Sequence, residues 1–295
     1  MPGSGQIRQL RRRIKSVRST QKITRAMEMI AASRIIKAQR RVREARPYAE
    51  QIHEVIKGLA ASNEVRGHSL LAPHESVDRV GVICITSDRG LAGAYNSNVL
   101  KLAERTIRQE GEQGREVALY QVGKKGLGYF KYRGRTAERS WQGVSDQPSI
   151  EDAQAIGDAV MDAYRDGNLD RVWLVYTDFQ SSLTQVPSRM QLLPVDPDEF
   201  EGGQQIPAEF MFEPGPEEIL TLLIPRYVEA KIFAGLLESS ASEHASRQRA
   251  MKSATDNAED VKEKLSRVMN QARQDQITTE ISEIVGGAEA LSQRN

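Results

Sequence analysis

The stretch from Arg226 to Asn295 constrains the fold most, because it runs seventy residues without a proline and contains only three glycines. Apolar residues recur four and three positions apart along it, which is the spacing of one face of a helix. A mean step of about 3.5 residues favours a left-handed supercoil with a second helix. The stripe consists of Val261, Leu265, Val268 and Ala272 and, after a polar interruption, of Ile277, Ile281, Ile284, Ala288 and Leu291.

The partner helix is expected at the other end of the chain, where residues 3–46 also lack proline. At 1.5 Å per residue the two helices would reach roughly 65 Å and 105 Å, too long for a compact domain. Pro47 should kink or end the first rod, and Pro225 should kink the second or mark where its straight part starts. The apolar stripe of the first rod is Ile7, Leu10, Ile14 and Val17, continued less strictly by Ile23, Met27, Ile30, Ile35 and Val42.

Between the rods, residues 77–195 alternate between buried-strand and amphipathic-helix patterns. This alternation predicts a three-layer, Rossmann-like α/β domain with a mainly parallel sheet. The expected division is therefore 1–61 and 209–295 for an antiparallel coiled coil and 77–195 for the central α/β domain. Strands are predicted at Val80–Ile85, Glu116–Val122, Arg171–Thr177 and, as an antiparallel edge, Gln185–Val195, with a weaker one at 136–141; helices are predicted at Asn96–Gln109, Lys124–Tyr132 and Ile150–Arg165.

Charge is divided unevenly along the chain. Residues 1–46 contain fourteen Lys or Arg and two acids, a net charge of +12, and the rest of the chain carries −11. Such a basic arm suits nucleic acid, a membrane surface or an acidic protein collar. The nucleic-acid interpretation is weakened because heptads interleave with the charges and no known nucleic-acid-binding motif accompanies them. The sequence has no apolar run of about 18 residues, and Cys84 alone permits no internal disulfide, which fits a cytosolic environment.

Motifs for cofactor chemistry are weak. Gly90 with Gly93 and the stretch Gly123–Gly128 follow predicted strands, but neither forms G-x-G-x-x-G or a phosphate-binding loop. These glycines are interpreted most simply as tight strand-to-helix turns. A dinucleotide-binding enzyme is the alternative interpretation. The histidines lack metal-ligand spacing, and His68 and His74 are expected to be solvated. Asp88 and Arg89 favour a turn cap or ion pair over catalysis. We expect no cofactor and no metal.

Three surfaces remain as candidates for function. The first is the basic N-terminal face around Lys22, Arg25 and Arg34, with Met27 and Glu28 between; the alternative is a solvated outer face. The second is the polar segment Gln271–Glu283, which could instead fix the register of a coiled coil. The third is Phe210–Glu213, whose aromatics could be ordinary core. The polar residues of the second surface are Arg273, Gln274, Gln276 and Thr278.

Four segments together resemble the γ-subunit family of bacterial F-type ATP synthases, over essentially the whole chain. Residues 277–288 resemble the diagnostic signature of that family, and the other three segments add to the match. They are QKITRAMEMIAAS at 21–33, SDRGLAGAYN at 87–96 and MKSATDN at 251–257.

The resemblance implies a non-catalytic central rotor stalk that couples proton-driven rotation of a membrane c ring to ATP synthesis or hydrolysis on the β subunits. The terminal helices would turn inside the ring of three α and three β subunits, at the cytoplasmic face of the plasma membrane, with the c ring and ε as further partners and no nucleic acid. It implies β-subunit contacts at Lys22, Arg25, Met27, Glu28, Arg273, Gln274 and Thr278, c-ring and ε contacts at Phe210, Phe212 and Glu213, and an apolar bearing tip at Ile284 and Leu291. Since Phe210 and Phe212 replace tyrosines of some relatives, any hydroxyl contact there would be lost.

Overall fold

The computed structural model describes residues 3–60, 69–200 and 215–292. Two long helices lie at the ends of the chain, and shorter helices alternate with strands between them. The helices are α1 (Gly3–Ala60), α2 (Tyr95–Glu112), α3 (Lys124–Tyr132), α4 (Ile150–Arg165) and α5 (Pro216–Ser292); the strands are β1 (Arg79–Ile85), β2 (Glu116–Val122), β3 (Arg139–Trp141), β4 (Arg171–Phe179) and β5 (Gln185–Leu193).

The chain divides into two compact units. The helical unit takes its described residues from 1–30 and 248–295. The body unit spans 31–247. Both long helices contribute residues to each unit.

Pro47 and Pro225 both lie inside continuous helices. Helix α1 runs through Pro47 and α5 through Pro225, so the expectation that Pro47 could end the first rod is wrong. An interior proline costs about 3 kcal/mol through a lost hydrogen bond and a clash with the preceding turn. Burial compensates around Pro47, because Ile52, Ile56 and Leu59 follow it at heptad spacing and are buried. Pro47 itself is exposed, so water can reach the backbone carbonyl that it leaves unbonded.

The sheet has the strand order β3-β2-β1-β4-β5. Strand β1 pairs in parallel with β2 and β4, and β3 pairs in parallel with β2. Strand β5 pairs antiparallel with β4 at one edge, as predicted. The strand order places the switch between the two halves of the sheet at β1 and β4, because the chain leaves β1 toward one side and returns at β4 on the other.

Two apolar layers sandwich this sheet, and alternate residues of β1 supply them. Ile83 and Ile85 join a cluster with α1, α4 and α5. Val82 and Cys84 face the other way, into a cluster with α2 and α3. The predicted three-layer α/β arrangement is therefore confirmed. The alternation follows from the two-residue period of a strand.

The helical unit buries only part of the predicted stripe, because Ile7, Leu10, Ile14, Val17, Leu265 and Ala272 lie at the seam and the other predicted positions largely do not. In α1, Ile7, Leu10, Ile14 and Val17 are followed at heptad steps by Gln21 and Thr24, whereas Ile23 and Ile30 are exposed. In α5 the line runs through Met251, Thr255, Ala258, Leu265, Met269, Ala272 and Gln276, whereas Val261, Val268, Ile277, Ile281 and Ile284 are exposed. The prediction failed where hydrophobicity was followed in preference to the strict heptad. Polar residues occupy seam positions, and apolar residues beside the seam face outward.

Candidate interaction surface

Polar side chains join the two helices of the helical unit at the seam. The hydroxyl oxygens of Thr24 and Thr255 lie 2.8 Å apart. One turn away, Gln21 Nε2 donates to Glu259 Oε2 at 2.5 Å. Because Thr24 and Thr255 are both buried, these bonds fix how the two helices are rotated and therefore which faces point outward.

The first outward surface is the basic face of α1. Eight Lys or Arg precede the first acid, Glu28, and none of them forms an ion pair with an acid among the residues that the structure describes. Lys22 and Arg25 are exposed, and Met27 and Glu28 are half-buried. Unpaired positive charge of this kind steers and holds an acidic partner.

Arg34 departs from this surface. It belongs to the body unit, where its guanidinium pairs with the carboxylate of Asp146. Since an ion pair already engages Arg34, it anchors α1 to the loop before α4.

The second outward surface is the polar segment of α5. Arg273, Gln274 and Thr278 are exposed, and their side chains make no hydrogen bond to any described residue. Their neighbours are engaged within the helix, with Gln271 bonded to Asp275 at 2.8 Å and Gln276 to Glu280 at 2.7 Å. Gln276 is also half-buried on the seam side, so the register-fixing interpretation fits Gln276 but not the three exposed residues.

Apolar side chains accompany these polar ones on the outer face of α5. Ile277 and Ile281 are exposed, and Ile284 is 71% exposed. Exposed apolar residues that repeat at helical spacing make this face a candidate surface for binding another protein. The backbone of Leu291 lies in the last turn of α5, and its side chain is outside the described part of the structure.

The two outward surfaces are separate. The cross-links pair residue 24 with 255 and residue 21 with 259, so the helices run antiparallel. Arg273 lies fourteen positions beyond Glu259, which is about 21 Å along a helix. The structure therefore does not bring Lys22 and Arg25 together with Arg273 and Thr278. The third predicted surface, with Phe210, Phe212 and Glu213, lies outside the described residues.

The glycine-rich turn after β2 is filled by the chain itself. A Cβ on Gly123, whose φ is +89°, would lie 2.2 Å from Thr86 O, and one on Gly126 would lie 2.3 Å from Gln121 Nε2. The first amides of α3 donate to Asp88 Oδ1, Ser87 O and Thr86 Oγ1. A helix N-terminus binds phosphate through such free amides. Here those amides are already bonded, so these glycines serve a tight turn, and the carboxylate of Asp88 acts as a cap.

Helix α5 occupies the crevice where doubly wound sheets bind ligands. That crevice lies beyond the carboxyl ends of the strands, at the switch between β1 and β4. The main chain of Thr177, near the end of β4, bonds to Ser239 and Ser242 of α5. The place where a dinucleotide would bind therefore holds a helix of the same chain.

The histidines of the body have structural partners. His74 is not solvated as predicted, because its ring stacks on Tyr164 at 4.4 Å and its Nδ1 lies 2.8 Å from Asp170 Oδ1. His244 is buried, and burial lowers its pKa to about 4, which holds the ring neutral. His68 lies outside the described residues. Within the described ranges, the acidic, histidine and cysteine side chains form no cluster that could hold a metal.

The described helices include none with a stretch apolar and long enough to cross a bilayer.

Sequence reasoning missed the polar seam residues Gln21 and Thr24. A heptad extended from Ile7 without regard to polarity would have found them.

Comparisons with known proteins agree over the full length. The family model described as ATP synthase matches residues 6–291. A protein from Frankia casuarinae named ATP synthase gamma chain is 50% identical over 296 residues, covering 98% of this chain and 99% of that protein. A protein of the same name from Thermobifida fusca is 47% identical, covering 97% of each chain.

Solved structures are similar in fold. A chain from the central stalk and c-ring structure of the Tetrahymena thermophila mitochondrial ATP synthase is 26% identical with a TM-score of 0.58, covering 79% of this chain and 99% of that one. A chain from the Euglena gracilis mitochondrial ATP synthase is 18% identical with a TM-score of 0.68, covering 98% of this chain and 95% of that one, and shows the fold alone. With the match over residues 6–291 and relatives near half identity, this chain belongs to the ATP synthase gamma chain family.

Proposed function

We propose that this protein is the central rotor stalk of an F-type ATP synthase and carries no catalytic site of its own. The unpaired positive face of α1 supports the proposal most directly. A rod that must bind one acidic partner, release it and bind the next needs charge that no neighbour in its own chain neutralises. Family membership and the likeness to a central-stalk chain agree with this role.

The partners of the helical unit are three α and three β subunits arranged as a collar. Lys22, Arg25, Met27 and Glu28 face an acidic segment of a β subunit. Arg273, Gln274 and Thr278 contact a loop of another β subunit about 21 Å away along the rod. Ile284 and Leu291 form the apolar bearing tip.

The body unit and the segment from Phe210 to Glu213 connect this rod to the membrane part of the complex. Phe210, Phe212 and Glu213 contact the c ring and the ε subunit, so the protein is peripheral to the membrane at its cytoplasmic face. Proton flow turns the c ring and with it the stalk. The domain boundaries 1–61, 77–195 and 209–295 belong to the same proposal, with the outer two forming the shaft.

The physical mechanism is a set of unequal contacts. One asymmetric shaft touches the three β subunits differently, and turning it shifts each among states that bind nucleotide with different affinity. Exposed ion pairs contribute about 0 to 1 kcal/mol each. Such weak contacts can form and break within one rotation of the shaft, and a rotor requires this.

Reconstitution tests the proposal. Purified chain is added to α and β subunits of the Thermobifida fusca relative's complex, and ATPase activity of the assembled complex is measured. We expect a stable complex whose activity requires this chain. Failure to assemble, or equal activity without the chain, would show that the rotor function is wrong.

The same preparation tests two other functions. Salt-sensitive DNA binding that persists in the assembled complex would favour a basic nucleic-acid scaffold. Stoichiometric binding of labelled ATP or NAD to the isolated chain would favour a nucleotide-dependent enzyme. We expect neither, the second because α5 fills the crevice at β1 and β4.

A further inference from the structure

The segment of α5 from Gly235 to Arg247 is buried on nearly every side. A helix buried all round is normally apolar. This one contains Ser239, Ser240, Ser242, Glu243 and His244, and all five are at most 3% exposed. Such a segment must bond its polar groups to the surrounding body unit.

Ser239 and Ser242 bond to main-chain groups of β4 that lie beyond the end of the neighbouring strand β1. The pairing of β1 with β4 ends at Cys84 opposite Val175, so β4 continues beyond its neighbour. At Thr177 the main-chain N–H donates to Ser239 Oγ at 3.2 Å, and the main-chain carbonyl accepts from Ser242 Oγ at 3.3 Å. Helix α5 therefore continues the hydrogen bonding of the sheet where β1 stops.

Gly235 allows the helix to come this close. A Cβ at Gly235 would lie 3.0 Å from Leu174 Cδ2 and 3.7 Å from Ile85 Cδ1. Gly235, Ser239 and Ser242 are spaced four and three apart, so they lie on one face of α5. That face presses on the ends of β1 and β4, with a polar bond at each of its two serines.

A second set of bonds holds the same helix segment from another direction. Arg247 donates to Gly90 O at 3.2 Å in the loop after β1 and pairs with Glu243 at 2.5 Å. Ser240 Oγ donates to Asp146 O at 3.3 Å, in the loop before α4. These bonds end on loops, whereas those of Ser239 and Ser242 end on a strand within the sheet.

We propose that Ser239 and Ser242 are positioning residues that lock α5 to the sheet at Thr177, and that this joint carries torque between the shaft and the body. The inference rests on the proposed rotor function. Loops deform more readily than a paired sheet. A twist applied to the sheet therefore reaches α5 most directly through the two bonds on Thr177.

The test measures torsional stiffness in the assembled complex. A bead is attached to the body through Tyr132→Cys, since Tyr132 is 90% exposed. Cys84 will not compete for the label, because it is fully buried and burial raises the pKa of its thiol to about 12. Angular fluctuations of the bead are recorded with the α and β subunits fixed to a surface.

The Ser239→Ala/Ser242→Ala double variant is compared with Ser240→Ala. Ser240 lies in the same helix segment, is also at most 3% exposed, and bonds to a loop instead of the sheet. Each lost hydrogen bond raises the fraction of molecules in which α5 is detached from Thr177 roughly fivefold, so losing both should raise it roughly 25-fold and clearly enlarge the angular fluctuations. Exchange of the Thr177 amide proton with solvent should rise by a similar factor. The Ser240→Ala variant should fluctuate like the parent complex.

The outcomes separate this inference from the rotor function. A parent complex whose bead never rotates with ATP would contradict the proposed function itself. Rotation in the parent complex, with equal fluctuations in the double variant and the parent, would overturn only the torque joint. Equal softening in the double variant and Ser240→Ala would also overturn it, because the effect would then be general loosening of the helix.

Discussion

The side-chain oxygens of Thr24 and Thr255 lie 2.8 Å apart inside the seam of the helical unit. Each hydroxyl also lies within hydrogen-bonding distance of a carbonyl one turn earlier in its own helix, 3.0 Å from Gln21 O for Thr24 and 2.8 Å from Met251 O for Thr255. A hydroxyl has one proton, so one threonine donates across the seam while the other donates to its own helix. The pair is therefore a single bond that links two helices at one register.

We expect Thr24→Val and Thr255→Val each to lower the free energy of unfolding by about 1 kcal/mol. The double variant should lose less than the sum, because no hydroxyl is then left without its partner. Urea unfolding followed by circular dichroism measures all three, with Thr20→Val, at an exposed position of α1, as the control. Additive losses would mean that the two hydroxyls do not interact.

Arg273 is exposed and makes no ion pair with any described residue. We expect Arg273→Glu to weaken the coupling between hydrolysis and rotation more than it weakens folding. Exposed ion pairs contribute about 0 to 1 kcal/mol, so assembly should weaken by less than about tenfold. The measurement is ATP-driven proton pumping per ATP hydrolysed, in vesicles that contain the complete complex.

The matched control for Arg273→Glu is Lys264→Glu, the same charge change at an exposed position of the same helix. A loss of helical signal in Arg273→Glu alone would mean that the residue supports folding. An unchanged pumping ratio in a folded variant would remove Arg273 from the interaction surface.

The central domain could be predicted closely from sequence because its elements have clear periods and clear ends. Strand β2 and helices α3 and α4 have the predicted bounds. Helix α4 begins at a capping box in which Ser149 and Asp152 bond each other's backbone. A helix start of this kind can be predicted from a few neighbouring residues. The antiparallel edge strand β5 was also predicted, although it ends at Leu193.

The rods were harder to predict because a long helix offers several faces. The apolar residues Ile277, Ile281 and Ile284 satisfied the expected spacing, yet they are exposed, and Gln276 lies at the seam. Hydrophobicity alone does not distinguish a seam between two helices from a face reserved for another protein. The seam of α1 would have required accepting Thr24 as an interior residue.

The basic face of α1 could be predicted from the sequence, whereas the docking of α5 on the sheet could not. The basic face with Lys22 and Arg25 follows from charge, which sequence displays directly. The docking of Ser239 and Ser242 on Thr177 does not, since serines give no amphipathic pattern and their partners lie about sixty residues away in sequence.

Glu238 should make the stability of the body depend on pH near neutrality. Burial, and then the neighbouring Asp178 carboxylate, raise the pKa of Glu238 to about 7, while Arg46 opposes this rise. The unfolded chain ionises Glu near pH 4.3, so it gives up this proton before the folded protein does. The free energy of unfolding therefore falls as pH rises from 5 to 8, by about 2 to 3 kcal/mol.

Urea unfolding at pH 5 and at pH 8 measures this loss. Glu238→Gln cannot ionise and should reduce the difference between the two pH values, whereas Glu263→Gln, at an exposed position of α5, should leave it unchanged. An equal pH dependence in Glu238→Gln and the parent chain would show that another group titrates.

Asp170 should act in the opposite direction, at acid pH. Burial disfavours its charge, but hydrogen bonds from His74 and from the main-chain amides of Arg79 and Asp78 outweigh burial and lower its pKa. Those bonds are 2.8 to 2.9 Å long and tie the segment before β1 to the start of β4. A depressed pKa means that the stabilisation is complete above about pH 4 and is lost as pH falls through the folded-state value.

We expect Asp170→Asn to lower the free energy of unfolding by about 1 to 3 kcal/mol at neutral pH and to flatten the acid limb of the stability profile. His74→Phe is the matched variant, because it keeps a ring against Tyr164 but removes the bond to the carboxylate. It should shift acid unfolding to higher pH with a smaller loss at neutral pH, since the two main-chain amides still hold Asp170. Acid unfolding that is identical in the parent chain and in both variants would mean that Asp170 is not the group whose protonation releases this segment.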